Sequence, residues 1–377
     1  MDYLIRDSAK NIVKKLQSNK VVLVFGARRV GKTVLVKEIL DKIKEPVLVL
    51  NGEDINVHDK LATRSIENYK QILGSYKLLY IDEAQKIPDI GLKLKLMIDE
   101  IEGLRIIISG SSSFDIQKDA GEPLTGRKYS FTLFALSENE YRQVENSIEK
   151  IDKVRERLVF GNYPELLHLA DREDKIDYLN EMVSSYLLKD ILIYENIKNS
   201  QKIFNLLRLI AFQIGGEVSL QELGKQLGIS KNTVEKYLDL LSKVFILHKV
   251  EGFSRNLRKE ITKNSRWYFL DNGIRNAVIA NFNPLESRSD IGILWENYMI
   301  SERIKYQEYR RISSNNYFWR TYDQQEIDWV EEREGTLFAY EFKWKEAKVK
   351  IPTQWKNAYS ETSFEVISMG NFEKWLS

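Results

Sequence analysis

Five apolar residues, Val21 to Phe25, run straight into Gly26-Ala27-Arg28-Arg29-Val30-Gly31-Lys32-Thr33, and a helix-like segment follows from Val34 through Ile39. The order strand, glycine turn, helix is the setting that the Gly-x-x-x-x-Gly-Lys-Thr pattern of a phosphate-binding loop (P-loop) requires. The glycines let the backbone fold tightly enough for successive N–H groups to surround a β-phosphate. Residues 26–34 are therefore the expected nucleotide-binding stretch. Lys32 is placed to reach the β- and γ-phosphates, and the Thr33 hydroxyl to hold Mg²⁺. A chance match in a glycine-containing turn would not bring all three elements into line.

At 377 residues the chain is long for a single core, so two or three domains are expected. Hydrophobic residues at 43% with charged residues at 30% describe a soluble globular protein, and cytoplasmic placement is the expectation. No window approaches the roughly 18 uninterrupted apolar residues of a membrane span, and Met1-Asp-Tyr-Leu-Ile-Arg-Asp7 lacks the apolar core of a signal peptide. With no cysteine there are no disulfides or thiolate metal sites. His58, His168 and His248 are scattered singly and offer neither a His-rich metal cluster nor an obvious Ser-His-Asp triad. A net charge of +2 leaves any nucleic-acid contact to local basic patches.

Pro46–Leu50 reads as the next buried parallel strand, with Asn51–Asp54 as its turn. The following strand, Tyr76-Lys-Leu-Leu-Tyr-Ile, ends in Asp82-Glu83, the Walker B arrangement. Asp82 is placed to orient the Mg²⁺ shell and Glu83 to polarise the attacking water. Leu104–Ser109 forms a third strand, followed by Gly110-Ser-Ser-Ser113. A polar residue at that tip, Ser109 or Ser111, is a candidate contact to the γ-phosphate or the water, the role called sensor 1, unless the segment is an ordinary serine turn. Leu124-Thr-Gly-Arg127 precedes a further strand, Tyr129–Leu133. Arg127 is either an arginine finger toward a neighbouring subunit's nucleotide or the anchor of a surface loop. Strands alternating with helices after a P-loop predict an α/β fold with a parallel, doubly wound sheet, nucleotide at the carboxyl ends of its strands.

Gly26-Ala-Arg-Arg-Val-Gly-Lys-Thr33, Ile81-Asp-Glu-Ala-Gln-Lys-Ile-Pro88, Ile108-Ser-Gly-Ser-Ser-Ser113 and Leu124-Thr-Gly-Arg127, with Gly161-Asn-Tyr-Pro-Glu-Leu166 beyond them, resemble the prokaryotic AAA-type ATPases that carry an uncharacterised C-terminal domain. The resemblance runs over nearly the whole chain. It departs at Arg29, where glutamine is more usual, and at Thr125, where alanine is common; neither touches the phosphate-binding groups. The resemblance implies ATP binding and hydrolysis and says little about biological purpose. Homo-oligomers are common among AAA-type motors, but nothing in this sequence demands one.

From Ser137 to about Ser200 the pattern is charged and helical, as in Tyr178-Leu-x-x-Met-Val-x-x-Tyr-Leu-Leu188, and reads as a lid and connector or simply as packing helices. Val218–Leu241 then reads as a helix-turn-helix. Ser219 with Glu222 forms a capping box, Gly228 makes the turn and Ser230 caps a second helix whose exposed start carries Lys231, Asn232 and Lys236. Val244–Val250 and Arg266–Leu270 read as wing strands around a loop with Arg255, Arg258, Lys259 and Lys263, a surface suited to phosphates. Glu235 and Asp239 on the second helix weaken the basic face, so DNA binding and a purely structural winged helix both stay open.

The last segment holds a second constellation. Glu296 lies in helix-like Leu294–Ile300; Tyr317–Thr321 and Glu326–Val330 read as strands; and a hairpin at Glu334-Gly335 leads into Leu337–Trp344. Glu341 and Lys343 alternate onto one strand face, where Asp328 of the paired strand can meet them. This is the D…E-x-K order of a restriction-endonuclease-like fold, in which Asp328 and Glu341, with Glu296, would gather Mg²⁺ and Lys343 would orient water. The competing readings are a nuclease fold kept only for binding and a Glu/Lys pair solvating an edge strand. The segments Lys343–Lys350 and Arg303-Ile-Lys305 would suit a nucleic-acid backbone or be ordinary solvated faces.

Four parts are thus expected: an AAA-type P-loop domain at 1–136, a helical connector at 137–205, a winged helix at 206–275 and a nuclease-like α/β domain at 285–377. ATP and Mg²⁺ are the expected cofactors, DNA a candidate partner and a membrane an excluded one. The function expected is an ATPase gating a nucleic-acid module; a silent DNA-binding regulator and a protein-interaction switch are the alternatives.

Overall fold

The computed structural model describes residues 4–111, 124–146, 148–187, 200–254, 265–359 and 361–377. They form two compact units, residues 1–136 with 243–245, and residues 137–242 with 246–377.

In the first unit five strands, β1 (Lys20–Phe25), β2 (Val47–Asn51), β3 (Leu78–Asp82), β4 (Arg105–Gly110) and β5 (Lys128–Thr132), build one sheet in the order β2-β3-β4-β1-β5. Every pairing is parallel, as helical crossovers between the strands require. β1 lies inside the sheet between β4 and β5, and Val21 through Val24 are wholly buried there, which explains an unbroken apolar run where an exposed strand would alternate. Ile106–Ile108 and Leu78–Ile81 follow the same logic. Side chains such as Leu23, Leu79, Ile81, Leu94, Met97 and Ile106 close the core. Because all strands run the same way, Phe25, Asn51, Asp82 and Gly110 finish at one edge. That edge carries the chemistry.

The second unit is built on a seven-stranded mixed sheet: β6 (Glu217–Val218), β7 (Leu247–Gly252), β8 (Ser265–Phe269), β9 (Asn315–Arg320), β10 (Glu326–Arg333), β11 (Thr336–Phe342) and β12 (Ser363–Ile367), ordered β12-β11-β10-β9-β7-β8-β6. The boundary expected between 275 and 285 therefore separates no sheets. Parallel pairing of β7 with β9, Glu251 to Tyr317 and Gly252 to Phe318, joins the hairpin β7–β8 to the C-terminal strands. Distant pairing of this kind leaves no local sequence signal.

The expected helix pair is present as Leu220–Leu227 and Lys231–Lys243. Ser219 Oγ accepts from Glu222 N at 3.3 Å, Gly228 takes the left-handed conformation at φ +62°, and Ser230 Oγ accepts from Thr233 N at 3.1 Å. On the second helix Val234, Leu238 and Leu241 are buried, while Lys231, Asn232, Glu235, Lys236 and Asp239 are exposed, so that face carries two positive and two negative charges. Arg255, Arg258, Lys259 and Lys263 lie outside the described residues. The connector holds helices Glu138–Tyr141, Lys150–Phe160 and Arg172–Glu181. Among the described residues no helix is long and apolar enough to cross a membrane.

Candidate functional site

The loop after β1 is shaped by two close approaches. A Cβ on Gly26 would stand 2.1 Å from the Leu133 carbonyl oxygen, and Gly31 sits at φ +94° just before the helix Lys32–Ile43. Both positions exclude larger residues. Lys32, 6% exposed, donates from Nζ to the carbonyls of Gly26 at 3.0 Å and Ala27 at 2.8 Å, which holds the ammonium against the loop. Ala27 and Val30 are buried, Arg28 is half-buried, and Arg29 is exposed at φ +63°. Val34, in the first turn of that helix, is 46% exposed.

Thr33 Oγ1 donates to Asp82 Oδ2 at 2.8 Å, across from the end of β3. The other carboxylate oxygen accepts from Ser109 Oγ, on β4 next door, and from the Glu83 N–H at 3.1 Å. Tyr80, on β3, contacts Ser109 at 3.0 Å through its hydroxyl, and burial pushes that phenol's pKa up so that it stays protonated. Asp82 is thus oriented by a hydroxyl of the loop helix, a hydroxyl of β4 and a backbone amide. Ser109 supplies the β4 contact; Ser111 meets Gln85 instead, accepting from its Nε2 at 3.1 Å.

A hydroxyl and one carboxylate, both hard oxygen donors, fit Mg²⁺, which takes few protein ligands and fills its shell with water and phosphate oxygens. Thr33 and Asp82 are the residues that would hold it.

The second constellation forms where β10 and β11 pair antiparallel. Trp329 lies opposite Tyr340, so Asp328 and Glu341, one step along, face each other. The register between β9 and β10 shifts between Ile327 and Val330, the stretch that holds Asp328 and Trp329, and such irregularities re-aim side chains. Asp328 Oδ2 accepts from Phe342 N at 2.9 Å, and Lys343, just past the end of β11, donates to Glu341 Oε1 at 2.7 Å. Burial pushes the Asp328 carboxyl well above its ordinary range, and Glu296 and Glu341 push it further. Burial likewise raises Glu296 to about 7, against the opposing pull of Arg266 and Tyr268. For Lys343 burial works downward, but Glu341, Asp328 and Glu296 outweigh it and raise the ammonium. These four groups sense one another as the D…E-x-K reading expects. They do not form a ready metal cage: among the described residues no three His, Cys, Asp or Glu side chains come close enough together to hold an ion. Asp328 and Glu341, the pair expected to hold Mg²⁺ with Glu296, stand opposite each other without a third acid at ligating distance among the described residues.

Three family models match successive parts of the chain. Residues 18–142 match the model of an AAA domain, residues 151–285 a domain of unknown function (DUF8612) and residues 291–369 another domain of unknown function (DUF4143). The chain carries an AAA-type P-loop domain. Curated relatives include an uncharacterized protein of Mycobacterium tuberculosis, 26% identical over 343 residues, spanning 90% of this chain and 73% of that one. Another, from Methanocaldococcus jannaschii, is 24% identical over 347 residues, spanning 85% and 74%. Among solved structures, the RuvB Holliday junction branch migration motor of Thermotoga maritima is 16% identical over 68% of this chain and 91% of that one, with a TM-score of 0.29.

Within the AAA domain, Arg127 does not join Lys32, Thr33, Asp82 and Glu83. Its carbonyl accepts from Val21 N at 2.9 Å, at the amino end of β1, whereas the nucleotide loop follows the carboxyl end at Phe25. Its guanidinium, 39% exposed, pairs with Asp99 at 2.5 Å. The loop-anchor alternative matches this placement, and Arg127 lies away from its own domain's Phe25–Asp82 edge.

Several site residues escaped the sequence reading. Arg6, 6% exposed, donates to the Val30 carbonyl at 2.6 Å and to the Phe134 carbonyl at 2.7 Å, clamping the loop from a segment with no motif of its own. In the second unit β8 supplies Tyr268, whose hydroxyl donates to Glu296 Oε1 at 2.7 Å, and Arg266, whose NH1 lies 4.0 Å from the same oxygen while NH2 binds Glu326 at 2.9 Å. Gly215 closes the other side, where a Cβ would come within 3.1 Å of Glu296. The only available signal was the alternation Arg266-x-Tyr268 on a strand. Its target lies on the helix Ile291–Arg310, which packs against β8.

Proposed function

We propose that this chain is an ATP-binding protein and Mg²⁺-dependent ATPase whose nucleotide state gates a C-terminal module that engages nucleic acid. The observation that carries the ATPase reading is the convergence of Thr33, Asp82 and Ser109 at one strand edge beside the Lys32 loop. In this reading the loop backbone and Lys32 receive the phosphates, Asp82 stays oriented by its donors, and Glu83 takes a proton from the attacking water. A magnesium ion at Thr33 and Asp82 would supply charge neutralisation on the transferring phosphoryl group.

The nucleic-acid part rests on the D…E-x-K order at Asp328, Glu341 and Lys343 and on the helix pair with its exposed Lys231, Asn232 and Lys236. A second reading, a nuclease-like fold used for binding without cleavage, is favoured by one specific observation: no three acids assemble at ligating distance among the described residues. Incubation with plasmid and with short single- and double-stranded DNA, with Mg²⁺ or Mn²⁺, with and without ATP, separates the readings. Binding without cleavage, weakened in Lys231→Ala/Lys236→Ala, is expected. Cleavage lost in Asp328→Ala and in Lys343→Ala would restore the nuclease, and no DNA binding in any nucleotide state would leave only a protein-interaction switch.

A further inference from the structure

Glu83 is held more firmly than a strand-end acid needs to be. Gln85 Nε2 donates to Glu83 Oε2 at 2.5 Å and to Ser111 Oγ at 3.1 Å, so both hydrogens of one amide are used. Ser111 is 4% exposed and follows directly on β4, the strand that also carries Ser109. The Gln85 oxygen is buried with no donor from the described residues. An unmatched buried oxygen is destabilising, so this side chain is a poor packing element, and its worth lies on the N–H side. The backbone of Glu83 is constrained too. It stands at φ +47°, and a Cβ on Gly52 would lie 2.3 Å from its carbonyl oxygen. The left-handed conformation is unfavourable for a residue with a Cβ. Both backbone and carboxylate of Glu83 are thus fixed against β2 and β4.

We infer that Gln85 is a positioning residue for ATP hydrolysis: it ties the Glu83 carboxylate to the tip of β4 and so sets where that carboxylate meets the attacking water. The inference rests on the ATPase reading above. In the step concerned, the water oxygen bonds to the γ-phosphorus and the bond from that phosphorus to the β–γ bridging oxygen breaks. The bridging oxygen leaves on ADP with the electron pair, and the water's proton passes to Glu83.

Gln85→Met removes both N–H donors without adding charge, and Gln85→Glu keeps the shape while offering no donor. Steady-state ATP hydrolysis, affinity for a fluorescent ATP analogue and thermal melts are measured on the full chain. Both variants are expected to lose about ten- to hundredfold in kcat, the scale of a catalytic group displaced by about an ångström. KM, nucleotide affinity and melting temperature are expected to hold, and Ser111→Ala to show a smaller loss of the same kind. In a Glu83→Gln background Gln85→Met is expected to cost nothing more, because the two act as one unit. A parent chain that hydrolyses ATP no faster than Lys32→Ala overturns the ATPase reading and this assignment with it. If the parent hydrolyses, an unchanged or raised kcat in Gln85→Met, a loss that only tracks melting temperature, or full additivity with Glu83→Gln overturns the assignment alone.

Discussion

Glu83→Gln is expected to bind ATP as the parent does and to hydrolyse it about a hundred- to ten-thousandfold more slowly, the usual contribution of a positioned general base. The substitution keeps the side chain's length and its place beside Gln85, and it leaves Thr33, Ser109 and the Glu83 N–H on Asp82 untouched. Binding and turnover should therefore separate. A fluorescent nucleotide titration read beside phosphate release checks this. Loss of binding in parallel with turnover would mean that Glu83 holds the loop rather than the water.

The largest expected effect on stability lies in the second unit. Arg157, 4% exposed, donates from Nε to Glu138 Oε1 at 2.8 Å and to the Tyr298 hydroxyl at 3.1 Å, from NH2 to Glu138 Oε2 at 3.0 Å, and from NH1 to Glu145. Glu138 is 2% exposed, and its amide is itself bound to Glu302 at 2.8 Å. Arg157→Ala strands a buried carboxylate, at a cost of about 3–5 kcal/mol. Arg127→Ala, which breaks the partly exposed pair with Asp99, is expected to cost no more than about 1 kcal/mol. Urea unfolding of the two variants beside the parent checks the contrast. A loss for Arg157→Ala as small as that for Arg127→Ala would show that water reaches Glu138 in the folded chain.

What could be read from the chain and what could not divide along a physical line. The loop at Gly26–Thr33 and the acids Asp82-Glu83 were legible because their chemistry needs particular residues next to one another, between strands whose burial shows as apolar runs. Gly228 and Ser230 were legible because turns and caps are local. Arg6 was not, since its partners Val30 and Phe134 are distant in sequence and buried arginine clamps have no pattern. The placement of Arg127 followed from strand register: β5 begins beside the start of β1, so its leading residue falls at the wrong edge for its own nucleotide. In the second unit the D…E-x-K alternation predicted the facing of Asp328 and Glu341. It could not foresee the register shift between Ile327 and Val330, the parallel β7–β9 junction, or the reach of Arg266 and Tyr268 to Glu296. Each depends on chain segments that meet only after folding.

The central claim is that Lys32, Thr33, Asp82 and Glu83 form an ATP-hydrolysing edge. Mg²⁺-dependent phosphate release from ATP, measured for the parent and for Lys32→Ala under the same conditions, tests it most directly. Turnover that needs Mg²⁺ and falls at least about a hundredfold in Lys32→Ala, the scale of removing one preorganised group from a charged transition state, is the expected result. Equal rates for the two proteins would contradict it.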